Sequence, residues 1–93
     1  MNKEEARAIL AQRLGCYREW RYDKLAARVG SCDVEEVAWS SGVAYQLEFQ
    51  IVWDGKRGGD VRVLGGIDDG GLRAFLPLTD DFIMAPDGRF VGE

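Results

Sequence analysis

The sequence predicts an α+β domain in which two short N-terminal helices pack on one face of a three- or four-stranded antiparallel meander sheet. Three observations carry this. Residues 1–30 are rich in Ala, Leu, Arg and Glu with two Gly and no Pro, whereas ten of the twelve Gly and both Pro fall in residues 31–93. The apolar spacing changes at the same place, from three and four residues to two. The connections between the alternating segments are also too short for parallel crossovers, so consecutive strands must run antiparallel. A chain of 93 residues with 46% hydrophobic and 11% aromatic residues supports one small domain, 1–93, with a helical part in 1–30 and a sheet part in 31–93.

The first helix rests on Ala6, Leu10 and Leu14 at four-residue spacing with Ile9 beside them. Asn2 is its candidate N-cap, and Glu4 and Glu5 sit at the positive end of the helix dipole with Arg13 towards the negative end. Gly15 is expected to end or bend it. Tyr22, Leu25, Ala26 and Val29 then repeat at i, i+3, i+4 and i+7, a second amphipathic set stopped by Gly30.

A first strand is expected over residues 34–39, turned by Ser40, Ser41 and Gly42 into the strongest signal of the chain. Tyr45, Leu47, Phe49, Ile51 and Trp53 alternate with Gln46, Glu48 and Gln50, as a strand with one buried face requires; Val52 is the misfit. A Gly-rich segment, 54–60, leads to a third strand in which Val61, Val63, Gly65 and Ile67 alternate. Asp68, Asp69, Gly70 and Gly71 turn the chain, and residues 72–76 read as a fourth strand limited by Pro77, which has no N–H to give. Thr79 reads as an N-cap for a turn through Asp80, Asp81 and Phe82, Pro86-Asp87-Gly88 as a β-turn, and Phe90-Val91 as a pin for the C-terminus. Trp53 is assigned to the core by parity, while Trp39, Ile83 and Met84 are candidates for an exposed interface.

Absences restrict the chemistry. With no His, the chain lacks Ser-His and Cys-His nucleophilic pairs and histidine-bearing zinc sites, and two Cys do not complete a four-Cys site. No recognisable catalytic motif occurs, so an enzyme is not expected, and no cofactor or resident metal is called for. Cys16 and Cys32, not in a Cys-x-x-Cys spacing, read as free thiols of a reducing, cytoplasmic compartment. Apolar runs of four or five residues fall well short of the roughly 18 that span a bilayer.

Charge divides the chain as composition does. Residues 1–30 hold seven Lys or Arg against four Asp or Glu, and residues 31–93 hold five against twelve, within a formal net charge of −4. Arg18, Arg21, Lys24 and Arg28 near Tyr17 and Trp20 resemble a nucleic-acid stripe in composition, but four cations on an acidic domain lack the basic footprint such binding needs. The Gly pairs match no phosphate-binding motif. The candidate binding residues are Asp68, Asp69, Arg73, Asp80 and Asp81, since acids, flexible Gly and a guanidinium share two loops. Their spacing matches no calcium loop. The function expected is therefore a small non-catalytic interaction domain, of the inhibitor or immunity kind, presenting acidic Gly-rich loops to a basic protein partner as a monomer or homodimer. The alternative is a small ligand- or metal-binding domain or enzyme using Asp68, Asp69 and Arg73, with Asp80 or Asp81 as a further carboxylate.

Overall fold

The computed structural model describes residues 2–70 and 77–93. Its order is α1 (Lys3–Arg18), α2 (Tyr22–Ala27), β1 (Cys32–Ala38), β2 (Ala44–Trp53), β3 (Val61–Asp68) and β4 (Leu78–Met84). The strands form one antiparallel sheet in the order β1-β2-β3-β4, the meander that short connections dictate.

Asn2 caps α1, its Oδ1 accepting from the Glu5 amide at 3.1 Å. The helix does not stop at Gly15 but runs on to Arg18. Gly costs about 1 kcal/mol in a helix interior, and the helix offsets this by burying Leu14 just before it and laying Tyr17, just beyond it, against Phe49, ring centroids 5.1 Å apart. α2 ends at Ala27, ahead of Gly30, whose φ of 94° turns the chain into β1.

Tyr45, Leu47, Phe49 and Ile51 are buried on the inner face of β2 and Val61, Val63 and Ile67 on that of β3, beneath Ala6, Ile9, Leu10 and Leu14 of α1 and Leu25 of α2. α1 lies over β3 and β4. The close approach depends on Gly65: a Cβ there would come within 2.7 Å of the Phe49 ring and 2.9 Å of Leu10 Cδ1. Trp53, assigned to the core by parity, is instead half-buried at the margin of this core, near the end of β2.

The expected turn at Thr79 is instead strand. Thr79, Asp80 and Asp81 lie in β4, because Phe82 and Met84 are buried at a spacing of two and Leu78 pairs with Ile67. Met84 is accordingly core rather than exposed, and Trp39 and Ile83 are half-buried. The fourth strand expected over residues 72–76 lies outside the described residues. After β4, the Ala85 and Arg89 backbones bond across the Pro86-Asp87-Gly88 turn at 2.8 Å, and the Val91 amide donates to the Ile83 carbonyl at 2.9 Å, pinning the C-terminal segment. Among the described residues no helix is long and apolar enough to cross a membrane.

Candidate functional site

The sequence-predicted residues fall at separate places. Asp68 ends β3 and its Oδ1 accepts from the Gly70 amide at 2.8 Å, a local turn bond. Asp69 borders a small concavity with Glu36, Tyr45 and Gln46. Asp80 and Asp81 face opposite sides of the sheet: Asp80 pairs with Gly65 on the helix-covered side, and Asp81 with Leu64 on the outer side. Asp80 acts electrostatically on Arg18, and Asp81 accepts from Arg62 at 2.7 Å. Asp68 lies four residues along β3 from Leu64, roughly 13 Å at the usual strand rise. Arg73 lies outside the described residues. Among the described residues no three Cys, Asp or Glu gather as a metal-ion site.

Three of the four basic residues around Trp20, namely Arg18, Lys24 and Arg28, are engaged within the fold. Lys24 Nζ sits 4.0 Å from the Trp20 ring centroid and the Arg28 guanidinium 5.7 Å from it. Arg18 stacks 4.1 Å from the Phe90 centroid and pairs with Glu93, whose carboxyl is held below its ordinary range by that guanidinium.

A more coherent surface lies at the other edge of the sheet. Because α1 sits over β3 and β4, the inner side of β1 is left open as a groove of about 340 Å³, lined by Arg13, Tyr17, Trp20, Asp33, Glu35 and Phe49. Tyr17 packs on both Trp20 and Phe49, with centroids 5.0 and 5.1 Å away. Its hydroxyl donates to Asp33 at 2.9 Å, and partial burial together with this bond pushes its pKa to about 12. Arg28 also reaches Asp33, at 3.3 Å, and Arg13 reaches Glu35 at 2.9 Å. The carboxylates inside the groove are thus neutralised locally.

Among the described residues, only Asp81 of those on the outer face is paired with a cation. By register, among the described residues, the outer face carries Glu36, Glu48, Asp68 and Asp81 against a single strand guanidinium, Arg62, which bridges Asp81 and Asp54. Cys32 lies on this face, its thiol donating to Glu48 at 3.3 Å, and that bond raises the thiol's pKa. Cys16 lines the groove on the other side, and both thiols are free. Val34 stands 60% exposed between Cys32 and Glu36.

Sequence reasoning missed this edge. The signal was present in Cys32-Asp-Val-Glu-Glu-Val-Ala38, where acids occupy both parities and so belong to a strand with neither face buried. Comparison with protein-family models, with curated proteins and with solved structures finds no match. The function is therefore argued from the chain's own residues.

Proposed function

We propose that the chain is a small non-catalytic interaction domain, of the inhibitor or immunity kind, that offers an acidic surface to a basic protein partner. The observation that carries this reading is the separation of charge across the fold. Cations cluster on the helices, where Arg18, Lys24 and Arg28 are occupied in stacking and pairing, while among the described residues the outer sheet face holds Glu36, Glu48, Asp68 and Asp81 around one Arg. Such a field steers an oppositely charged partner and rejects acidic ones. Two free thiols support a reducing compartment such as the cytoplasm.

The test is fluorescence anisotropy with labelled oligolysine and oligoglutamate across a salt series. The reading predicts binding to oligolysine that weakens with salt and is lost in Glu36→Lys/Glu48→Lys, but kept in Arg21→Glu on the helical side. Equal binding to both probes, or indifference to reversal of the sheet face, would count decisively against it. Light scattering on the same samples separates a monomer from a homodimer in which the basic layer of one copy meets the acidic face of another.

A further inference from the structure

We propose that the partner is held by strand addition at β1: an extended segment of alternating basic and apolar side chains pairs with the free edge of the sheet. This deepens the acidic-interaction reading and rests on it.

The backbone supplies the first argument. At one end of β1 the Trp39 amide donates to Val43, and at the other the Ser31 carbonyl accepts from Ile51. With the register of Asp33 on Phe49, Glu35 on Leu47 and Val37 on Tyr45, odd-numbered residues therefore bond towards β2. By the alternation of an antiparallel ladder, the amides and carbonyls of Cys32, Val34, Glu36 and Ala38 point to the open edge. Among the described residues no strand pairs there. The edge spans seven residues without Pro or Lys, and its inward-facing acids Asp33 and Glu35, which would otherwise blunt it, are paired with Arg28 and Arg13.

The side chains say which occupant fits. Self-pairing is opposed by charge: a two-fold antiparallel register centred on Glu35 or Glu36 places that acid against itself, and one centred on Val34 places Asp33 against Glu35. A second copy is thus disfavoured in the registers that pair most of this edge. A foreign strand would present alternate side chains to two different surfaces. Those facing outward meet Glu36 and, across the ladder from Val34, Glu48, which is where Lys or Arg is favoured. Those facing inward enter the groove beside Tyr17, Trp20 and Phe49, whose own acids are already paired, which is where apolar side chains are favoured. The groove's volume of about 340 Å³ lies within the range of clefts that hold side chains or small ligands.

The experiment titrates the protein with a blocked eight-residue peptide alternating Lys and Val, followed by Trp20 emission in the Trp39→Phe/Trp53→Phe background and by calorimetry on the unaltered chain. Parallel arms use the same peptide N-methylated at alternate residues in both frames, one alternating Glu and Val, and the flexible oligolysine. Val34→Pro removes an edge-facing amide while leaving the β1-β2 ladder intact, and its folding is checked by circular dichroism. Should it fail to fold, the N-methylated peptides test the same bonds from the other side. The expected result is binding that weakens about tenfold or more in Val34→Pro and in one N-methylation frame, as loss of one or two hydrogen bonds would give. The Glu-Val peptide should not bind. Equal affinity for both N-methylation frames and the parent overturns strand addition and leaves the acidic surface standing. Oligolysine binding without Lys-Val binding does the same. Failure of every basic probe overturns both readings, and dimerisation abolished by Val34→Pro would show that a second copy is the occupant.

Discussion

Replacing Gly65 by Ala tests the contact that positions α1 on the sheet and thereby leaves β1 uncovered. The new methyl would lie 2.7 and 3.0 Å from two carbons of the Phe49 ring and 2.9 Å from Leu10 Cδ1, all closer than van der Waals contact. Phe49 cannot swing aside freely, because Tyr17 packs against it and it is 4% exposed. Forcing a methyl into such a site costs about 1–3 kcal/mol, against which Ala recovers about 0.4–1 kcal/mol through the unfolded chain. The net loss is about 1 kcal/mol, a fall of roughly 4–8 °C in Tm for a domain of this size. Gly66 is the internal control, because a Cβ there meets nothing closer than 3.8 Å and Gly66→Ala should be neutral or slightly stabilising. Urea unfolding of both variants, and of Gly65→Ala combined with Phe49→Leu, gives the comparison. The double variant should recover part of the loss as a positive coupling. If Gly65→Ala is as stable as the parent, α1 does not sit this close to β3 and the exposure of the β1 groove loses its cause.

Further predictions concern charge and polar groups. Tyr17 and Tyr45 both have pKa values pushed up to about 12, by burial first and then by bonds to Asp33 and Glu5, so the native state keeps protons that the unfolded chain releases near pH 10. Stability should therefore be unaffected by these groups below pH 10 and fall between about pH 10 and 12, and Tyr17→Phe should flatten part of that fall in pH-dependent melts. Arg62→Ala removes the bridge between Asp54 and Asp81, which are both partly exposed, so it should cost under about 1 kcal/mol. The same change makes the outer face more negative, and oligolysine anisotropy should show tighter binding. The Ser31 Oγ is buried with no partner among the described residues, so Ser31→Ala should be neutral or stabilising by up to about 1 kcal/mol in denaturant unfolding.

Where periodicity and packing agree, the sequence is readable. Tyr45 to Trp53 announce their strand because every second residue is apolar and the intervening ones are polar, and the same parity places Val61, Val63, Gly65 and Ile67. Thr79-Asp80-Asp81 misleads because it carries the chemistry of a helix cap; only the sheet reveals that each Asp faces a cation on its own side, Arg18 or Arg62. Gly15 misleads for a related reason, since its local propensity yields to the burial of Leu14 before it and the packing of Tyr17 beyond it. The acidic loop residues looked like one site because they are near in sequence. Strand alternation sends Asp80 and Asp81 to opposite faces, and the length of β3 separates Asp68 from Asp81. The β1 groove was the least legible feature, because it depends on where α1 lands, and that follows from a glycine three strands into the chain.

Amide hydrogen exchange along β1, with and without the alternating Lys-Val peptide, tests the account most directly. In the free protein the amides of Asp33, Glu35 and Val37 should be protected by β2 while those of Cys32, Val34, Glu36 and Ala38 exchange quickly, and the peptide should slow the second set alone. Protection of all seven amides before any peptide is added, or a peptide whose binding leaves the even-numbered amides as fast as before, would contradict a free edge that receives a basic strand.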